Sequence, residues 1–274
     1  MSNPSFQSRL RDAARQHDSW LCVGLDPTPE RLPAGVDLET FLAGIVAATG
    51  DLACCFKPQI AFYEALGMPG QALLRSVLRA IPPHVPVLLD AKRNDTPDTM
   101  QAYARALFDE LGADAVTVNP YLGPDSLGPF LDYADRGVFV LCKTSNPGSG
   151  ALQDLVQADG EPLFVHVARQ ALSWDRHGTV GFVVGATYPR DVARVRAVAP
   201  DAPILLPGIG AQAGELERSV QAGVDATGGG LLVSASRSVL YASRGTDWAS
   251  AARQEADRLR RAINAARADA LAAR

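Results

Sequence analysis

The residues best equipped for chemistry lie in the stretch 87–99, VLLDAKRNDTPDT. An apolar run at 85–89, broken only by Pro86, leads into Asp90, Lys92 and Asp95, and Pro97 then opens a helical pattern. Charged side chains lose hydration when packed near a core, so they occur there paired with one another or with a ligand. An ammonium flanked by carboxylates keeps its charge, which makes Lys92 a candidate proton donor.

Something must hold that cluster, and the surrounding pattern says what. Eight short apolar runs, at 21–25, 53–56, 85–89, 115–118, 138–141, 180–184, 204–206 and 231–233, each end in Gly, Pro, Asn or a charge. Helical spacing fills the intervals, at 38–48, 70–80, 97–111, 126–134, 162–174, 190–198 and 214–222, with a long final segment at 248–273. Continuously apolar strands alternating with amphipathic helices indicate a parallel sheet under helices, and eight such units close most simply into a (β/α)8 TIM barrel. The α/β alternative is a doubly wound open sheet. The whole of 1–274 reads as one barrel domain preceded by an extra N-terminal helix, with Phe6, Leu10, Ala13 and Ala14 on one face and a cap near Ser2 or Asn3.

Composition narrows the class. Hydrophobic residues at 47% and charged residues at 20% suit a globular protein, and a net charge of -4 argues against a general nucleic-acid binder. The Arg-rich final segment carries Glu255, Asp257 and Asp269 among its basic residues, which favours a solvated helix face over a nucleic-acid arm. No apolar run is long enough to span a bilayer and the first residues hold no apolar signal core, so the expected location is the cytoplasm. Cys22, Cys54, Cys55 and Cys142 form no CxxC spacing and read as small buried hydrophobes. The four histidines show no metal-binding spacing.

In parallel barrels the ligand site lies at the C-terminal strand ends. Those ends supply Asp26, Lys57, Asp90, Lys92 and Arg237, which a barrel would bring to one mouth. One charge at a strand end is unremarkable; five at equivalent ends imply a shared ligand. The segment 207–214, PGIGAQAG, imitates a dinucleotide fingerprint but lacks the second mononucleotide half and an acidic partner. Its place after the seventh strand suits a phosphate instead, with Pro207 and Gly210 in the loop, Gln212 bridging and Arg237 forking onto the phosphate oxygens. The fifth-strand loop, 143–162, is long enough for a lid and turn-rich enough for an ordinary excursion, and both readings stand.

The set GLDP, FKPQIAFYEALG, DAKRNDTPDT, KTSNPGSG, PGIGAQ and SASRS, one at each of six strand ends, resembles the orotidine 5'-phosphate decarboxylase family, in its larger, mainly bacterial branch. The resemblance implies a (β/α)8 homodimer that converts orotidine 5'-phosphate to UMP and carbon dioxide with no metal or organic cofactor. It further implies a charged network of Lys57, Asp90, Lys92 and Asp95, with Asp95 and Thr99 reaching the ribose in the neighbouring subunit's site. Asp26 and Lys57 would hold ribose hydroxyls, Ser145 the pyrimidine, and Gln212 with Arg237 the phosphate.

Two details depart from the family. In its smaller branch a Tyr follows the phosphate-binding Arg at a fixed offset; here Tyr241 lies one residue further on, and no role is carried over to it. The seventh-strand loop is short, which would shift closure toward the fifth. Three rival readings remain: a metal-dependent decarboxylase of phosphorylated keto-sugars, a Schiff-base aldolase using Lys92 or Lys143, and a phosphate-ligand sensor without catalysis. The first needs an acidic metal ligand where this chain has Lys57, the second an uncharged lysine, and the third has no use for so costly a charge cluster.

Overall fold

Apolar residues on both faces of every strand leave a sheet that must be covered inside and out, and the chain meets that requirement by closing. The computed structural model describes residues 4–208 and 213–274. Among these, eight strands are present: β1 (Leu21–Gly24), β2 (Cys55–Lys57), β3 (Leu88–Arg93), β4 (Ala115–Val118), β5 (Gly137–Lys143), β6 (Val180–Val184), β7 (Ile204–Leu206) and β8 (Leu231–Ala235). They pair in parallel in the order β2-β1-β8-β7-β6-β5-β4-β3. Two parallel bridges, Phe56 to Val87 and Gln59 to Asp90, join β2 to β3 and complete the barrel. The expected barrel, rather than the open sheet, is what forms.

The N-terminal helix Phe6–Gln16 explains why only one end of the barrel is free. It buries Phe6, Leu10, Ala13 and Ala14, and Phe6 stands edge-on to Phe139 at 5.7 Å. A Cβ on Gly137, the first residue of β5, would come within 2.6 Å of the Phe6 ring, so this glycine makes room for it. The helix therefore stoppers the N-terminal end, and the strands' C-terminal ends face the other way. Its cap is Ser5, whose side chain accepts from Ser8 N, so the chain enters the helix two or three residues later than spacing alone suggests; the expected caps, Ser2 and Asn3, lie outside the described residues.

Other helices follow the spacing closely. The expected 97–111 helix runs as an α-helix over Pro97–Ala104 and then widens into a π-helical turn over Arg105–Glu110. The final helix Trp248–Ala272 buries Ala252, Ala256, Leu259, Ile263, Ala266 and Ala270 and turns its charges outward. There Arg258 pairs with Glu255, Arg260 and Arg261 with Asp257, and Arg253 with Asp51. The four cysteines are free and buried, and burial pushes the thiols of Cys54, Cys55 and Cys142 up, away from reactive thiolate. No helix among the described residues is long and apolar enough to cross a membrane.

At the free end, β1 and β8 approach so closely that a Cβ on Gly24 would lie 1.8 Å from Ser236 Oγ. Only glycine fits there. The same register carries Asp26 past the end of β1 and Arg237 past the end of β8, at the same end of the barrel.

Candidate active site

Three adjacent strands deliver the charge cluster. Lys57 ends β2, Asp90 and Lys92 belong to β3, and Thr117 lies within β4. β3 therefore runs to Arg93 instead of stopping at 89, and the charges are part of the strand, not appended to it. Alternation along a strand puts Asp90 and Lys92 on one side. The pairing with β4 slips between Leu89 and Arg93, and Lys92 takes φ 46°, a left-handed backbone conformation. A lysine there costs about 1–2 kcal/mol. The conformation is held because Lys92 N donates to Thr117 Oγ1 at 3.0 Å, and such stored strain is typical of functional sites.

Asp90 is the hub. Its Oδ2 accepts from Lys57 Nζ at 3.2 Å and from Gln59 Nε2 at 2.9 Å, while Oδ1 accepts from Lys92 Nζ at 2.5 Å and from Thr117 Oγ1 at 2.8 Å. Asp90 is only 8% exposed and Lys57 5%. Burial alone would raise the Asp90 carboxyl, but Lys57 and Lys92 pull it down to about 2. Burial alone would likewise lower the Lys57 ammonium, and Asp90 with Asp26 more than offsets that, holding it above the ordinary lysine value. Lys92 differs from Lys57 in one respect that matters for chemistry: its side chain is 43% exposed, so its ammonium faces the mouth.

The other described residues picked out from the sequence lie at or just past the strand ends. Asp26 Oδ1 accepts from Gln59 N at 3.2 Å, which ties the ends of β1 and β2. Ser145 follows β5 and is exposed. Pro207 follows β7, half-buried, and its carbonyl accepts from Ala186 N at 2.9 Å. Arg237 is exposed at the start of the short helix Arg237–Leu240. Gly210 and Gln212 lie outside the described residues. Asp95 and Thr99 sit half-buried about the start of the helix Pro97–Ala104; Asp95 Oδ1 accepts from Thr96 N at 2.7 Å. No hydrogen bond or ion pair of the Asp90 hub includes Asp95.

The sequence profile described as the orotidine 5'-phosphate decarboxylase / HUMPS family matches residues 19–254. The chain belongs to that family. It is 51% identical over 268 residues to the orotidine 5'-phosphate decarboxylase of Roseiflexus sp. strain RS-1, covering 96% of this chain and 98% of that one. It is also 51% identical over 274 residues to the enzyme of the same name from Paracidovorax citrulli, covering 96% and 99%. Among solved structures, the OMP decarboxylase of Leishmania donovani superposes with a TM-score of 0.85 at 44% identity, over 96% of this chain and 98% of that chain.

Membership in the orotidine 5'-phosphate decarboxylase family bears out the resemblance of the strand-end motifs. Two participants in the hub escaped the sequence reading, Gln59 and Thr117. Each had a signal: Gln59 directly follows the Lys57-Pro58 strand end, and Thr117 is the one hydroxyl in the otherwise apolar β4. A buried hydroxyl in such a strand needs a partner, and here it has two. Tyr241 is occupied elsewhere. Its hydroxyl accepts from Thr28 N at 2.8 Å while its ring stacks on Phe41 at 5.7 Å, so it fastens the loop after β1.

Proposed function

We propose that this chain is a cofactor-free carboxy-lyase that converts orotidine 5'-phosphate to UMP and carbon dioxide, the last step of de novo pyrimidine nucleotide synthesis. The observation that carries the reading is the saturation of Asp90 by four donors, which leaves the Lys92 ammonium fixed in place yet open to the mouth. Loss of carbon dioxide leaves the electron pair of the broken bond on C6 of the pyrimidine. With no cofactor to delocalise it, that charge has to be met by a cation already in position. Lys92 is that cation, and its proton then passes to C6, after which the neutral amine recovers a proton from solvent. The substrate carboxylate would approach Asp90, and their repulsion favours its departure. Phosphate binding at Arg237, with Pro207, Gly210 and Gln212, contributes binding energy far from the reacting carbon, which orients the base and closes the site. Asp26 and Lys57 bind the ribose and Ser145 the pyrimidine.

The chain acts as one barrel domain in the cytoplasm, and as a homodimer in which Asp95 and Thr99 complete the partner's site. Asp95 makes no bond to the Asp90 hub and stands two residues past the end of β3, before the helix Pro97–Ala104, which supports that placement. Mixing Lys92→Ala with Asp95→Ala chains then restores about a quarter of native turnover, since half the dimers formed at random are hybrids and each hybrid has one intact site of two. Exchange of subunits without any return of activity would reject the shared site.

The decisive assay follows the fall in orotidine 5'-phosphate absorbance with purified, metal-stripped protein. Turnover is expected to be unchanged by EDTA; its abolition would favour the metal-dependent keto-sugar reading, which Lys57 disfavours because a cation stands where that chemistry needs a metal ligand. No turnover by the native chain rejects the proposal outright.

A further inference from the structure

We propose that Lys143, together with Asp154, positions Ser145 for the pyrimidine by clasping the fifth-strand loop down on the end of β5. The proposal rests on the reading of Ser145 given above and assigns work to two residues that the decarboxylation chemistry does not use.

Lys143 is the last residue of β5 and is 2% exposed. A buried ammonium is costly unless paired. Its partner comes from the loop: Lys143 Nζ meets Asp154 Oδ1 at 2.5 Å, and the Asp154 side chain is itself 51% exposed. The ammonium also lies 5.0 Å from the Tyr188 ring centroid and 5.9 Å from that of Phe164. Lifting the loop away would therefore take the paired carboxylate from the ammonium and leave it among the rings, with Asp191 as the remaining carboxylate in its neighbourhood. An amine held in this way is no Schiff-base nucleophile either.

A second clasp lies one residue on. Thr144 N donates to Gln153 Oε1 at 2.9 Å, and Gln153 Nε2 donates back to Thr144 Oγ1 at 2.9 Å. The loop winds tightly between the two clasps, since a Cβ on Gly150 would fall 2.7 Å from Asp154 Oδ2. Ser145 is next in the chain. Its other side is set by glycines at the ends of β6 and β7. A Cβ on Gly185 would lie 3.0 Å from the Ser145 N and Cα atoms, and one on Gly208 3.5 Å from its Oγ. Gly185 N in turn donates to Lys143 O at 2.7 Å, which sews the same residue to β6. The exposed Ser145 hydroxyl thus sits on a backbone floor with the loop fastened beside it, and Lys143 joins the two.

Calorimetric titration with UMP and with ribose 5-phosphate, which has no base, separates this role from simple support of the fold. Asp154→Ala is the main variant, because Asp154 is a half-exposed loop residue and the barrel core is untouched. It should weaken UMP about tenfold, the equivalent of 1.4 kcal/mol, while ribose 5-phosphate changes less than about twofold. Amide hydrogen exchange across 144–155 should rise in the same variant without ligand. Lys143→Met should give the same selective loss, the double variant should be no worse than either single one, and Asp154→Glu should recover part of the UMP affinity. Equal weakening of both ligands, or unchanged UMP affinity in Asp154→Ala, overturns the proposal. If the native chain binds no UMP, that failure belongs to the functional reading; exchange across 144–155 then decides the clasp, and an unchanged rate in Asp154→Ala rejects it.

Discussion

Replacing Lys92 by Ala is expected to lower kcat for orotidine 5'-phosphate by about 10⁴-fold, with kcat/KM falling in step. The ammonium does two things in the proposed reaction. Positioned proton donation contributes about 10²–10⁴ and preorganised charge at a developing anion about 10²–10³. Because one group supplies both, the two do not simply multiply, and the upper part of the first range is the reasonable expectation. Stability should barely respond, by about 1 kcal/mol or less, because the Lys92 side chain is 43% exposed and its pairing with Asp90 is partly screened. Lys92→Gly offers an internal control. It removes the same ammonium but relieves a backbone held at φ 46°, so it should be more stable than Lys92→Ala by about 1 kcal/mol and equally inactive. A loss of kcat smaller than about 100-fold in both would mean that the proton comes from elsewhere.

That control could not have been designed from the sequence. Periodicity made the barrel legible because each strand is apolar on both faces and each helix on one, and those patterns are local. Strand ends were legible for the same reason: a charge that interrupts an apolar run marks where the chain leaves the core. Lys57, Asp90 and Lys92 were therefore visible as a set. What periodicity cannot carry is the slip between β3 and β4, because it depends on a hydroxyl from a different strand. Thr117 holds Lys92 N and Asp90 Oδ1 at once, and neither bond leaves a trace in the order of residues along β3. Gln59 was missed for a related reason. An amide after a strand end reads as an ordinary loop residue until the closing bridge between Gln59 and Asp90 places it on the carboxylate. The extension of β3 to Arg93 follows the same logic: charged residues argue against a buried strand until their partners on β2 and β4 are seen. Lys143 shows the limit in the opposite direction. Its motif was recognised, but its partner Asp154 lies 11 residues away in a loop whose path spacing does not determine.

Asp90→Ala should have the reverse signature to Lys92→Ala, a large loss of stability along with activity. Removing the carboxylate leaves the Lys57 ammonium buried with Asp26 as its remaining acidic neighbour among the described residues, and breaking a buried pair in this way costs about 3–5 kcal/mol. Gln59 and Thr117 lose their acceptor as well, so the upper end of that range is expected. Asp90→Asn keeps an acceptor and should cost less. Acid titration gives an independent measure of the same interaction. The Asp90 carboxyl is held at about 2 in the folded chain, against an ordinary value of 3.8. A carboxyl depressed on folding adds stability that is fully present above its unfolded value and lost as pH falls through its folded one. The contribution, on the order of 2 kcal/mol, is thus present above about pH 4 and disappears between about pH 4 and pH 2. Urea unfolding of the native protein and Asp90→Asn at pH 6 and at pH 2.5 should show their difference in stability shrinking by most of that amount at the lower pH. A difference that stays constant with pH would mean that the lysines do not hold Asp90 ionised, and the ammonium of Lys92 would then have no fixed anion to place it.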